Sequence, residues 1–144
     1  MGLLEATQRA FLRFHQGVYE RSGGRVGHRM IGVPSLLLRT TGRHSGRERT
    51  VALVYAHDGD DLVLVASNGG ADRPPGWLHN VRDHPTVALR VGRRQLVGRA
   101  RVVEPADVDY QRLWTLVNDR NRGRYEQYQR KTSRPIALVV VQPS

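Results

Sequence analysis

VALVYAHDGDDLVLVA, residues 51–66, sets two apolar, β-favouring runs on either side of an Asp-Gly pair. Glycine accepts the positive φ that a tight reversal needs, so the spacing predicts a hairpin of strands Val51–Ala56 and Leu62–Ala66 joined by residues 57–61. The acids Asp58, Asp60 and Asp61 fit a solvated hairpin tip better than a metal site. Working outward, Val87–Val91 and Leu96–Val103 form a second hairpin around Gly92-Arg93-Arg94. Leu36–Arg39 precedes the first hairpin as a short strand. Ile136–Val141 is apolar and β-branched, as a central buried strand is. Closely spaced hairpins with helices between and around them predict an α+β protein built on an antiparallel sheet or barrel. A doubly wound βαβ fold is excluded by the pattern, and no GxGxxG is present.

Four helical segments are predicted. Residues 3–22 place Leu4, Phe11, Phe14 and Val18 at helical spacing, and Ser22-Gly23-Gly24 ends the run. Packing of this face on the sheet is the simpler expectation, with membrane-surface contact as the alternative. Pro75–His84 is a short helix stopped by Pro85. Asp107–Asn118 puts Val108, Leu113, Trp114 and Val117 on one face, and Arg122–Lys131 is a third short helical stretch after the first. With 144 residues and no repeat or linker, one domain over 1–144 is expected.

The absence of cysteine removes disulfides, thiolate metal sites and cysteine nucleophiles. No apolar run is long enough to span a membrane, and the first residues lack a signal-peptide core, so a soluble cytoplasmic protein is expected. The formal charge is +10 and the pI about 11.2, and Lys131 is the one lysine among 23 basic residues. Part of that arginine excess is coding bias of a GC-rich genome. The rest implies a polyanionic partner: nucleic acid, an acidic membrane, or a small phosphorylated or carboxylated ligand. No nucleic-acid-binding motif accompanies the charge. The histidines are scattered without ligand spacing, so no metal is expected, and neither GxSxG nor a Walker A loop occurs.

Three stretches carry candidate chemistry. RTTGRHSGRERT, residues 39–50, is a loop between strands with four arginines, two glycines and one acid. Such a loop is either a solvated basic turn or an anion cradle of backbone N–H groups, hydroxyls and guanidinium forks. SNGGADRPPGWLHN, residues 67–80, leaves a strand, passes Gly69-Gly70 and enters a helix whose first N–H groups are free for a ligand. Trp77 either covers a flat ring or anchors its helix in the core, and the second is the expectation. Tyr125 and Tyr128 share a helical face, and a tyrosine hydroxyl can give a proton to a developing oxyanion.

The order TTGR-x-SG, then S-N-GG-AD with W-x-HN, then Y-x-x-Y with T-x-RPI resembles the deazaflavin-dependent nitroreductase family. The likeness runs from about Leu36 to Pro143. It implies a split antiparallel β-barrel of the flavin-reductase and pyridoxine-phosphate-oxidase type, and a hydride transfer from reduced coenzyme F420 to a flat, electron-poor acceptor such as a quinone, enone or nitro compound. FMN in the same barrel is the second cofactor reading, and a non-catalytic deazaflavin carrier or basic surface-binding protein is the alternative function. The family's cofactor contacts map onto Arg43, His44 and Ser45, and onto Arg49, Thr50, Val51, Ala52, Leu53 and Val54. They continue at Val65, Ala66, Ser67 and Asn68, then at Gly76, Trp77, Leu78, His79 and Asn80. Tyr125 matches the active-site tyrosine, Ser67 is a second group able to stabilise an anion, and Tyr128 and Arg122 lie on the substrate side. His44 stands where relatives often carry lysine, and Arg122 and Gly123 replace a tyrosine and a proline. The partner expected is a small-molecule acceptor, with no nucleic acid and with the chain a monomer or weak homodimer.

Overall fold

The computed structural model describes residues 29–30 and 33–144. Its strands are β1 (Arg29–Met30), β2 (Val33–Thr41), β3 (Glu48–Asp58), β4 (Asp61–Val65), β5 (Thr86–Val91), β6 (Arg94–Val103) and β7 (Leu138–Pro143). Its helices are α1 (Gly76–Asp83), α2 (Tyr110–Arg120) and α3 (Arg124–Gln129). The helix expected over residues 3–22 lies outside the described residues.

The Asp-Gly hairpin forms between β3 and β4. Pairing runs from Tyr55 opposite Leu64 to Asp58 opposite Asp61, leaving Gly59 at φ +61° in a two-residue turn. The tip is tied down as well as solvated, since the Arg112 guanidinium grips the Asp58 carboxylate at 2.8 and 3.1 Å. All ladders are antiparallel, in the order β1-β2-β3-β4-β7-β6-β5. Strand β2 also pairs with β5 through Leu37, Leu38 and Arg39, which closes six strands into a barrel.

Alternation along each strand divides the core in two. Leu36, Leu38, Tyr55, Leu62, Leu64, Val87, Leu89, Val139 and Val141 fill the interior, and Val51 and Leu53 pack against them. Helix α1 adds Trp77, Leu78 and Val81 to the same cluster, so Trp77 is a core anchor. On the outer face, Val63, Val65, Leu138 and Val140 lie beneath Leu113, Val117 and Tyr125 of α2 and α3. Strand β7 is therefore covered on both sides, which is why LVVV is a continuous apolar run and not an alternating one.

Two sequence expectations shift at helix and strand starts. Spacing puts Val108 on the buried face of a helix beginning at Asp107, yet it is fully exposed. The Asp107 carboxylate accepts the Glu104 N–H at 2.7 Å, which folds residues 104–107 into a turn and delays the helix to Tyr110. The apolar run opens at Ile136, whereas the last strand begins at Leu138. The Ile136 N–H donates to Gln129 Oε1 at 2.9 Å and its carbonyl accepts the Tyr110 hydroxyl at 2.6 Å, so helix side chains take the groups a ladder would use.

Candidate active site

The arginine-rich loop closes on itself before it meets anything else. Gly42 N–H donates to the Arg47 carbonyl at 2.7 Å, Gly46 N–H to the Gly42 carbonyl at 2.9 Å, and Arg47 N–H to Ser45 Oγ at 3.2 Å. The loop is then fastened to α1 by one side chain. Asn80 Oδ1 accepts the Arg43 N–H at 3.0 Å, while Asn80 Nδ2 donates to Thr40 Oγ1 at 3.1 Å. Asn80 and Thr40 are both buried, so the bond between them is shielded from water.

The other end of the 67–80 segment is held from a different direction. Asn68, Gly69 and Gly70 follow one another at φ +45°, +65° and +86°. A Cβ on Gly70 would stand 2.7 Å from the Tyr128 carbonyl oxygen, so the close approach that two glycines permit is used by α3. Arg134 spans the turn from outside. Its Nε donates to the Ala71 carbonyl at 2.8 Å, Nη2 to the Ser67 carbonyl at 2.8 Å and Nη1 to the Ala66 carbonyl at 3.3 Å. Gln129 of α3 holds the same crossing, donating to the Arg134 carbonyl at 2.7 Å.

The electrostatics follow from this packing. Arg43, Arg47 and Arg49 are exposed and have no carboxylate partner among the described residues; the loop's Glu48 lies 3.9 Å from Arg39 instead. Burial, then the charges of Arg43 and Arg82, push the His79 imidazole below its ordinary pKa and favour its neutral form. Tyr125 is 5% exposed, and burial pushes its phenol up to about 12 against a smaller opposing hydrogen bond from Asn121. Tyr128 meets the Tyr125 ring edge-on at 6.3 Å, and the Lys131 ammonium lies 5.6 Å above the Tyr128 ring.

The residues marked in the sequence thus fall into three settings. Arg43, His44 and Ser45 are exposed on the loop and Arg49 at the start of β3; on that strand's outward side Thr50 and Val54 are half-buried and Ala52 is buried against Leu37. Ala66, Trp77 and Leu78 are buried in the barrel core, and Val51 and Leu53 pack against it while partly exposed. Val65 shares its cluster with Tyr125, two residues ahead of the buried Ser67, whose hydroxyl has no partner among the described residues. Asn68 and His79 are half-buried, Gly76 and Arg122 are exposed, and Asn80 spends its amide on the protein itself. Thr40 and Arg134 carry structural work at the site that their residue types did not announce; the T-x-RPI string was the one sequence signal for Arg134.

A phosphate-and-carboxylate tail suits the exposed guanidinium groups of Arg43, Arg47 and Arg49, which have no carboxylate partner among the described residues, and in the 67–80 segment Ser67 offers a buried hydroxyl with no partner among the described residues. Residues 11–143 match the family described as F420H(2)-dependent quinone reductase. An F420H(2)-dependent quinone reductase of Mycobacterium tuberculosis is 49% identical over 131 residues, covering 90% of this chain and 88% of that protein. The solved structure of an F420-H2 dependent reductase, FDR-A, aligns with a TM-score of 0.68 at 34% identity, over 76% of this chain and 94% of that one. A structure described as a domain-swapped dimer aligns with a TM-score of 0.70 at 30% identity, over 90% and 96% of the two chains.

Proposed function

The chain belongs to the F420H(2)-dependent quinone reductase family, and on that premise we propose that its arginine loop grips the phosphate-and-glutamate end of a deazaflavin cofactor while its Ser67 turn faces the acceptor at the ring end. The protein is an F420H2-dependent oxidoreductase. Bound F420H2 supplies a hydride, and the chain supplies placement and charge. Arg43, Ser45 and Arg49 bind the phosphate and glutamate groups. The outward side of β3 and the start of α1 hold the ring system, with Ser67 and the Tyr125–Tyr128 pair on the acceptor's side.

Reduction of a quinone, enone or nitro acceptor leaves negative charge on its oxygen. A hydroxyl donor beside that oxygen stabilises it, and Tyr125, whose pKa near 12 keeps it protonated, is suited to donate a hydrogen bond. Ser67 is the second candidate donor. The observation that carries this reading is the arrangement of the 67–80 segment. One end is packed against α3, and the other is joined through Asn80 to a loop whose Arg43, Arg47 and Arg49 have no acid partner among the described residues.

Titration of the purified protein with F420 and with FMN, followed by fluorescence, tests the cofactor assignment. Addition of menadione, a nitroimidazole and an enone to the reduced complex separates enzyme from carrier. Failure of F420 to bind at micromolar concentration would remove the proposal, and tighter binding of FMN would redirect it.

A further inference from the structure

We propose that Arg134 is a positioning residue for this reduction, acting on the acceptor side through the turn that carries Ser67. The inference rests on the placement of Ser67 proposed above. The turn it acts on is unusual, because three successive residues with positive φ aim their peptide groups away from any regular ladder. Within the turn, Gly70 N–H donates to the Ser67 carbonyl at 2.8 Å and Ala71 N–H to the Asn68 carbonyl at 3.1 Å. Arg134 supplies a second donor to Ser67 and spans to Ala66 and Ala71, so one planar group fixes the entry and the exit of the turn together.

Only a guanidinium has donors set far enough apart, in one rigid plane, to do this; an ammonium is a point charge. Its partners are carbonyls and not carboxylates, so its charge is not neutralised by contact. Asp72 is the acid that acts on it. The clip is connected to the tyrosine helix as well. Gln129 donates to the carbonyls of Arg134 and Thr132 and accepts the Ile136 N–H at 2.9 Å, which sets residues 132–136 against α3. Moving Arg134 therefore shifts Ser67 relative to Tyr125 and Tyr128 while leaving the Arg43–Arg49 loop untouched.

The experiment compares wild type with Arg134→Lys and Arg134→Gln in the full chain. Amide exchange at Gly70 and Ala71 reads the turn, exchange along the β4–β7 ladder reads the fold, and F420 titration reads the cofactor. In both variants the turn amides should exchange about tenfold faster or more, with the ladder unchanged. F420 affinity should stay within about threefold, whereas kcat with menadione should fall about tenfold or more at a KM within about threefold. Unchanged turn protection overturns the proposal, and so does retained kcat in a variant whose turn has loosened. Loss of protection along the β4–β7 ladder in Arg134→Lys overturns it too, since the residue would then support the whole fold. Wild-type protein that does not bind F420 overturns the proposed function instead, and the exchange measurements still decide whether Arg134 holds the turn.

Discussion

The side-chain carbonyl of Asn80 accepts the backbone N–H of Arg43 at 3.0 Å, across 37 residues of sequence. The same amide donates to Thr40, so one buried side chain sets where the arginine loop leaves β2. Removing it in Asn80→Ala strands a buried hydroxyl and a backbone N–H, which costs about 1–3 kcal/mol. F420 affinity is expected to fall about tenfold with it, as the loop loses its fixed geometry. Thermal melts and fluorescence titration measure the two effects. Asn80→Asp keeps the acceptor for Arg43, and the Thr40 hydroxyl can turn to donate, so its melt should fall less than that of Asn80→Ala.

Gly70 tests the turn under α3. An added methyl meets the Tyr128 carbonyl at 2.7 Å and the Lys131 stem at 3.1 Å, at a φ of +86° that disfavours any side chain. Gly70→Ala is expected to lose about 2–4 kcal/mol in a urea melt, since backbone must move to admit it. Gly46→Ala, where nothing lies within 4 Å, pays only for its positive φ and should cost about 1 kcal/mol. Equal losses at the two sites would contradict the packing.

The pH dependence of stability carries a signature of His79. Its pKa is depressed in the folded chain, so below about 6.5 the unfolded chain binds more protons and stability falls as the pH drops. Urea melts at about pH 7.5 and about pH 5.5 should show a smaller acid loss in His79→Gln than in wild type. The group is half-exposed to solvent screening, so the sign of that difference is the prediction.

Tyr125→Phe is expected to lower turnover about tenfold or more while leaving F420 affinity within a few-fold, because the proposed site sets the phenol on the acceptor's side and away from the cofactor's tail. With a pKa raised to about 12, this phenol should put no descending limb into the rate profile before about pH 10. Its contribution to stability is complete below its ordinary value near 10 and is lost as the pH rises toward about 12. Unchanged turnover across menadione, a nitroimidazole and an enone would take Tyr125 out of the mechanism.

Arg122 holds a φ of +56°, next to Gly123 at +71°, in the link between α2 and α3. Arg122→Gly should raise stability by about 0.5–1 kcal/mol, since the strain of a left-handed side chain is released and part is returned as unfolded-chain entropy. A differential melt measures it. The change also removes a charge from the proposed acceptor side, so an altered preference between neutral and anionic quinones would place the Arg122 side chain at the substrate.

Local chemistry made most of the barrel legible. Period-two runs and the Asp-Gly turn announce β3 and β4 without help from the rest of the chain. Closure of β2 on β5 is a pairing of Leu38 with Leu89 across a long stretch of sequence, and no local pattern encodes it. Val108 fits a helical stripe by spacing, and only the Asp107 contact to Glu104 shows where the turn ends. At the site, the arginine loop and the tyrosine pair were visible because their residue types advertise charge and acidity. Thr40 and Arg134 were not, since their partners are an amide and three backbone carbonyls supplied from distant sequence.

Strand β7 lies between β4 and β6, although both are finished long before it in chain order. As the chain emerges during synthesis, the hairpins of β3–β4 and β5–β6 can form at once, but each keeps a bare apolar edge until residues 138–143 arrive. Both edges are satisfied by this one strand, and Tyr110 and Gln129 hold Ile136 two residues before it starts. The helices α2 and α3 therefore fix where the last strand begins in the finished barrel. Ordering of the Ser67 turn has to wait for that strand, because Arg134, two positions before Ile136, is brought to the Ala66, Ser67 and Ala71 carbonyls by the segment that leads into it.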